Sequence, residues 1–282
     1  MRPYGRSTRS TLLKRANLIT LTTDFGYADP FAGQIKGAIL RRNMGARIID
    51  LTHAIEPHNV LGGAVTIRSS YQYFPHGTVH MVVVDPGVGT QRLILVLMAD
   101  DHIFIAPDNG TLSLIMRDKN IQAVHRVANS SLFPAEISAT FHGRDIMAPV
   151  AAALAAGMTL DQVGPAITVQ ECVQLDIPLT HLDENGITGR VISIDRFGNI
   201  RSTITSANLS RYQPASFAGI FIGAHQINAI SATYGDRPAG ELLAVIDSAG
   251  QLEIAVNRGS AAALTGCKIG DPVSVLMDRE KE

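Results

Sequence analysis

Apolar residues in the first 170 positions form short continuous runs, separated by stretches in which they recur every three or four residues. The runs predict strands buried on both faces, and the intervening stretches predict amphipathic helices. The three predicted strands span 18–22, 48–49 and 79–84. The first helix is predicted to begin at Asp29 and Pro30, an N-cap followed by proline, and the second at Asn59. Strands that alternate with helices predict an α/β fold with a mostly parallel sheet and flanking helices.

The rest of this half predicts a hairpin and two more helices. Apolar runs at 93–98 and 102–106 meet at Asp100 and Asp101, which is typical of an antiparallel hairpin. Residues 111–116 predict a short helix. A longer helix follows and ends at Gly157. Its apolar stripe comprises Ile146, Met147, Val150, Leu154 and Ala155.

The pattern changes near residue 170. Strand-like runs then alternate with turns, and only a brief helical piece at 260–264 interrupts them, which predicts a small all-β domain, barrel or sandwich. The predicted runs are 190–194, 199–204, 219–222, 242–246, 252–256 and 272–277. We expect four segments: a loose basic tail at 1–16, an α/β domain at 17–177, a polar, turn-rich linker at 178–186 and the β domain at 187–282.

Composition narrows the class of protein. The 282 residues are 46% hydrophobic and 17% charged, which is enough for a sizeable core. A net charge of -1 offers no basic excess for nucleic acid or an anionic membrane. Cys172 and Cys267 lie far apart, so neither a disulfide framework nor a zinc site is expected. No apolar run reaches membrane-span length, and the tail lacks an apolar signal core, so we expect a cytoplasmic protein; a short targeting peptide is the alternative.

The strand at 79–84 ends in a loop that combines an acid, glycines and an arginine. Asp85 is followed by a proline and by Gly87 and Gly89, which let the backbone approach a ligand, and Arg92 comes seven residues after the acid. Because ligands gather at the carboxyl ends of parallel strands, this loop is a candidate site. It has neither a P-loop ending nor GxGxxG spacing, which excludes a nucleoside triphosphatase. The alternative is a structural ion pair between Asp85 and Arg92.

Other polar residues at element ends allow two interpretations each. Asp24 is either an Asx-turn or capping residue, or a carboxylate that accepts hydrogen bonds from the paired hydroxyls of a sugar. His142 precedes the last helix, whose dipole disfavours the imidazolium, so a neutral His able to accept a proton is expected; the alternative is a simple exposed His. His53 and His58 are metal ligands or structural residues, and the lack of a completing acid or cysteine favours the second.

In the β domain, residues 195–199 join two predicted strands. The first interpretation is a hairpin turn that uses Asp, Gly and Asn. The second is a platform for a purine, on which Phe197 stacks and Asn199 offers an amide that pairs with adenine-type edges.

Four motifs of this chain, taken in order, resemble the S-adenosylmethionine hydroxide adenosyltransferases, relatives of the adenosyl fluorinases and chlorinases. They are Thr22-Thr23-Asp24-Phe25-Gly26, Asp85-Pro86-Gly87-Val88-Gly89-Thr90-Gln91-Arg92, Phe141-His142-Gly143-Arg144-Asp145 and Asp195-Arg196-Phe197-Gly198-Asn199. The resemblance covers roughly residues 17–277. It implies an α/β N-terminal domain joined to a small antiparallel β-barrel. It also implies a homotrimer whose sites lie between one subunit's first domain and a neighbour's second.

The resemblance implies roles residue by residue. Asp85, Arg92 and His142 match the catalytic triad of the hydrolase branch, and Asp24 matches the acid that holds the ribose hydroxyls. The other implied substrate-binding residues are His58, Phe141, Gly143, Asp195, Phe197, Asn199, Ser248, Glu253 and Val256.

The chain also departs from the halogenase pattern. Gly143 stands in place of a halide-contacting Ser, and Asp85 in place of an aromatic side chain of the halide pocket. Both changes argue against halogenation. His58 replaces a Trp beside the ribose, and Ala249 replaces an Arg near the methionine carboxylate, so the partner of that carboxylate is left open.

The implied reaction is hydrolysis of S-adenosyl-L-methionine to adenosine and L-methionine, by in-line attack of a positioned water or hydroxide at the 5′ carbon. The sulfonium is already an excellent leaving group, so neither a metal nor a cofactor is expected. Arg92 keeps Asp85 ionised, and either Asp85 or His142 takes the proton of the water. The alternatives are an adenosyl-halide-forming transferase and a non-catalytic sensor of S-adenosylmethionine or adenosine.

Overall fold

The computed structural model describes residues 15–212 and 217–277. They divide into two compact units, with the boundary between Leu175 and Asp176. Nearly all of the expected basic tail, 1–16, lies outside the described residues.

The first unit is built on a six-stranded sheet with the strand order β2-β1-β3-β5-β4-β6. Its strands are β1 Leu18–Thr23, β2 Arg47–Thr52, β3 Val79–Val83, β4 Ile94–Ala99, β5 His102–Pro107 and β6 Ile121–Arg126. The first four strands in that order are parallel, and β4 is antiparallel to both of its neighbours. This confirms the mostly parallel sheet and the hairpin formed by β4 and β5. The sequence analysis missed β6, because this edge strand is only partly buried and carries no apolar run.

Helices cover both faces of this sheet. They are α1 Phe31–Arg42, α2 Val60–Ser70, α3 Ser113–Asp118, a π-helical turn Gly143–Met147 and α4 Ala148–Ala155. Residues of α1 and α4 pack against one face, and residues of α2 and α3 against the other. As predicted, the Asn59 side chain caps α2 by accepting from the amide of Gly62 at 2.7 Å. The predicted cap of α1 is wrong: Pro30 rather than Asp29 takes the N-cap position, and no side chain caps this helix.

The second unit is an antiparallel, nearly closed barrel with the strand order β11-β10-β14-β8-β9-β13-β12, and β7 pairs with β8. Its strands are β7 His181–Asp183, β8 Gly186–Ile194, β9 Ile200–Thr205, β10 Phe217–Ile222, β11 His225–Ile227, β12 Leu242–Ile246, β13 Gln251–Val256 and β14 Pro272–Met277. Two short helices, α5 Ser206–Leu209 and α6 Ala261–Thr265, complete it. The barrel agrees with the implied fold.

The segment predicted as a linker, 178–186, is partly regular structure. Part of 178–186 is strand, because β7 pairs with β8 through a tight turn. Three-residue strands such as β7 and β11 carry no readable period, which is why the sequence analysis missed both.

Within 15–212 and 217–277, no helix is both long and apolar enough to cross a membrane. The same residues include no group of three His, Cys, Asp or Glu side chains placed to hold a metal ion.

Candidate active site

A cavity of about 270 Å³ opens where β1 and β3 end. Parallel strands present their carboxyl ends on one edge of the sheet, and the π-helical turn begins at the same edge. The cavity is lined by Asp24, Phe25, Phe31, Pro57, His58, Val83, Asp85, Val88, Thr140, Phe141, His142 and Gly143. Three of the four recognised motifs therefore meet around one space.

Asp85, Arg92 and His142 form a connected group in this region. Arg92 Nε donates to both carboxylate oxygens of Asp85, at 2.8 and 3.0 Å, and Arg92 Nη2 makes a further short contact with Oδ2. Arg92 Nη2 also lies 3.2 Å from His142 Nδ1. The Asp85 and Arg92 side chains are only 5% and 9% exposed. The ion pair between Asp85 and Arg92, expected as the structural alternative, is therefore present. It also contacts His142, which lines the cavity.

The loop after β3 is shaped by its glycines. A turn in which the Val88 amide donates to Asp85 O at 3.2 Å brings the chain back, so that Arg92 faces Asp85. Gly89 has φ +80°, and a Cβ there would lie 2.4 Å from Ala139 O. Only glycine fits this close approach to the segment that leads to His142.

His142 is held as a neutral imidazole. Burial first, and the positive charge of Arg92 second, lower the pKa of His142 below its ordinary value. A guanidinium can only donate, so Nδ1 must accept from Arg92, and the ring proton of the neutral tautomer lies on Nε2. A neutral His142 was predicted from the helix dipole, whereas burial and Arg92 account for it in the structure.

Asp24 follows β1 and points its carboxylate at a distant loop. Its Oδ2 accepts from the backbone amide of His58 at 2.9 Å. This partner is 34 residues away, so the bond is neither an Asx-turn nor a helix cap. His58 has φ +65°, a left-handed conformation that is uncommon for a histidine. His53 does not line the cavity, and its ring nitrogens lie near Thr23 and Asp50.

Three phenylalanines form one wall of the cavity. The rings of Phe25, Phe31 and Phe141 pack edge to face, with centroids 5.6–5.8 Å apart. The Arg144 guanidinium lies over the Phe141 ring at 5.0 Å. Phe31 was not predicted as a site residue, because it belongs to none of the four motifs. It is 41% exposed.

The second unit has a separate cavity of about 530 Å³. It is lined by Asp195, Phe197, Asn199, Tyr234, Val256, Arg258 and Gly259. Asp195 Oδ1 accepts from the amides of Phe197 and Asn199 at 2.8 and 2.9 Å, so the predicted turn forms. That turn leaves the Phe197 ring 75% exposed at the cavity.

The three implied site residues on the β12–β13 hairpin lie in different environments. Val256 lines the cavity, whereas Ser248 is exposed at the hairpin turn and Glu253 is only 4% exposed. Glu253 Oε1 accepts from the Tyr234 hydroxyl at 2.7 Å, and burial raises the pKa of Glu253. The bond to Glu253, with burial, raises the pKa of Tyr234 to about 12. The sequence analysis missed Tyr234 and Arg258, since each lies in an irregular segment without a motif.

Comparison with known proteins assigns both units to one protein family. The family model described as the SAM hydroxide adenosyltransferase N-terminal domain matches residues 19–164, and the corresponding C-terminal domain model matches 189–274.

Individual relatives extend the match to nearly the whole chain. An (R)-S-adenosyl-L-methionine hydrolase of Salinispora tropica is 40% identical over 91% of this chain and 97% of its own length. A fluorinase of Actinopolyspora mzabensis is 27% identical over 92% of this chain and 96% of its own. The crystal structure of an uncharacterized conserved protein from Thermotoga maritima superposes with a TM-score of 0.85 at 35% identity, covering 92% of this chain and 99% of that one.

Proposed function

Because the chain belongs to the SAM hydroxide adenosyltransferase family, we propose that it hydrolyses S-adenosyl-L-methionine to adenosine and L-methionine. The observation that carries the proposal is the hydrogen-bonded group of Asp85, Arg92 and His142 at the wall of the first cavity. The greater identity to a hydrolase than to a fluorinase supports the same choice.

The reaction needs little activation of its leaving group. A water or hydroxide oxygen attacks the 5′ carbon opposite the sulfonium, the new C–O bond forms, and the electron pair of the broken C–S bond returns to sulfur as a thioether. The task of the protein is to hold that oxygen in line and to manage its proton. Orientation of this kind contributes up to about 7–11 kcal/mol of the barrier in favourable cases.

The hydrogen bonds divide the roles within the triad. His142 Nδ1 is occupied by Arg92, so His142 donates to the attacking oxygen through Nε2–H and does not act as the base. Asp85 carries the carboxylate of the group and accepts the proton of the water. Arg92 holds both partners and stabilises the negative charge that develops on the oxygen.

Substrate recognition in this proposal uses both units. Asp24 accepts from the ribose hydroxyls, beside His58, Phe141 and Gly143. In the second unit, Phe197 stacks on the adenine and Asn199 pairs with its edge. Asp195, Ser248, Glu253 and Val256 complete that side, with Glu253 acting through its bond to Tyr234.

We further propose a homotrimer in which one subunit's first unit and a neighbour's second unit form each site. The first cavity, about 270 Å³, falls below the roughly 300–1,000 Å³ typical of ligand pockets, which supports a site completed by a second surface. Closed cyclic symmetry makes all such sites identical. The cytoplasmic location stays a prediction.

The deciding experiment is product analysis in H₂¹⁸O, with and without chloride or fluoride. We expect adenosine and L-methionine, with the label in the 5′ hydroxyl and no dependence on halide, because Gly143 brings no hydroxyl and the Asp85 carboxylate repels anions. A halogenated nucleoside formed as fast as adenosine identifies a halogenase instead. Tight binding of substrate without any product identifies a sensor.

A further inference from the structure

A chain of polar contacts, whose inner members Thr23 and His53 are buried, lies behind the corner that presents Asp24. We infer that Thr23 and His53 are positioning residues, which fix the corner at Thr23–Gly26 and so hold the Asp24 carboxylate at the position where it binds the ribose hydroxyls. The inference rests on the proposed function, and it adds two residues that touch no substrate.

The chain begins at the surface and runs inward. Lys36 Nζ lies 2.6 Å from Asp50 Oδ2, and His53 Nε2 lies 3.1 Å from Asp50 Oδ1. His53 is only 1% exposed, and its Nδ1 lies 2.8 Å from Thr23 Oγ1. The Asp50 carboxylate beside Nε2 favours the tautomer with a proton on that nitrogen, because a carboxylate attracts an N–H and repels a lone pair. In this tautomer Nδ1 accepts from the Thr23 hydroxyl.

The direction of that bond leaves the Thr23 oxygen free to accept. The backbone amide of Phe25 donates to Thr23 Oγ1 at 3.3 Å. This bond bridges over Asp24, the residue between them, so the hydroxyl fixes the backbone on both sides of the carboxylate. Thr23 itself is fully buried and is not part of the cavity wall.

The loop after β2 is tied to the same corner through the main chain. The Gly26 amide donates to His53 O at 2.7 Å, and the Ile55 amide donates to Thr23 O at 3.3 Å. Further along this loop, the amide of His58 donates to the carboxylate that the corner presents, at 2.9 Å. Corner and loop therefore hold each other, and the side chains of His53 and Asp24 both join them.

The same strand offers a matched control. Thr20 Oγ1 lies 2.8 Å from His80 Nδ1, a buried Thr–His hydrogen bond of the same length as that of Thr23. Thr20 is also fully buried on β1, but it lies three residues before the corner and contacts no part of the site. Loss of the hydroxyl removes a buried bond to a histidine at either position, and at Thr23 it also removes the bond from the Phe25 amide. Only Thr23 borders Asp24.

The experiment compares Thr23→Val, Thr23→Ser and Thr20→Val in the full chain. Calorimetry measures the affinity for adenosine. Steady-state kinetics with S-adenosylmethionine give kcat and KM, and urea unfolding gives the stability. We expect Thr23→Val to weaken adenosine binding and raise KM by about tenfold while kcat changes less than twofold, the effect expected when about one hydrogen bond from Asp24 to the ribose is lost. Thr23→Ser, which keeps the hydroxyl, should have the adenosine affinity and the KM of the wild type. Thr20→Val also loses stability but keeps normal affinity.

A double-mutant cycle tests whether the effect passes through Asp24. In an Asp24→Asn background, Thr23→Val should cause little further loss of affinity. Equal losses in both backgrounds, or the same loss in Thr20→Val, overturn the inference. A wild-type protein that binds adenosine but forms none contradicts the proposed hydrolysis and leaves this test intact. A protein that neither binds nor forms adenosine overturns both.

Discussion

At the scale of single residues, Asp85, Arg92 and His142 are proposed to act on the attacking oxygen and not on substrate affinity. Asp85→Asn, Arg92→Ala and His142→Ala should therefore lower kcat, by about 10²–10⁴-fold for the proposed base, with smaller changes in KM. Steady-state kinetics on folded variants provide the measurement. Near-normal turnover in all three would contradict the triad assignment.

The donor role of His142 makes a separate prediction. A glutamine amide can place an N–H near the position of Nε2, so His142→Gln should retain clearly more activity than His142→Ala. In the wild type, protonation of His142 removes the Nδ1 acceptor that Arg92 uses. Because burial and Arg92 lower the pKa of His142, the acidic limb of the kcat profile should lie below about pH 6.5, the ordinary His pKa. Equal inactivity of the two variants would instead favour His142 as the base.

At the scale of elements, the central strands carry a ladder of buried histidines away from the active site. His80 on β3 lies 2.8 Å from Thr20 on β1 and 3.1 Å from His102 on β5. Burial places the pKa of His80 well below its ordinary value, and burial followed by the charge of His76 lowers the pKa of His102 to about 4. Both rings are therefore neutral in the folded protein at neutral pH.

This ladder predicts loss of stability in acid. Between about pH 6.5 and 4, the unfolded chain binds protons at these histidines and the folded chain does not, so the free energy of unfolding falls as the pH is lowered. Urea midpoints from pH 8 to 4.5 test this. His102→Gln should flatten the dependence, while the control His225→Gln, on β11 of the other unit, should leave it unchanged. An identical slope in His102→Gln would contradict the assignment.

At the scale of the whole molecule, the proposed substrate contacts are divided between the two units. A site shared between subunits predicts complementation: Asp85→Asn and Asn199→Ala subunits, each inactive and folded, should regain part of the activity when they are co-expressed, because some interfaces then pair two intact halves. Activity and light scattering of the mixed oligomers provide the measurement. An active monomer, or no recovery in oligomers that demonstrably contain both subunits, would contradict the shared site.

Regular segments were the predictable part of this fold. The run 79–84 is mostly apolar and rich in valine, so its strand and its burial followed from hydropathy and β-branching. The same holds for β12 and β14, whose observed bounds equal the predicted runs. Half-buried β6 and three-residue β7 and β11 lack such a signal, and tertiary pairing alone decides that they are strands.

The sequence by itself determined which chemical groups are available and that their motifs belong to one family. It could not decide the partners of those groups, because hydrogen bonds form between positions far apart in the chain. Arg92 reaches His142 across fifty residues, and this contact selects the tautomer that makes His142 a donor. The bond between Glu253 and Tyr234 likewise gives a buried acid a role that no local pattern encodes. Spacing along the chain therefore predicts elements, and the directions of donors and acceptors in the folded structure decide what each residue can do.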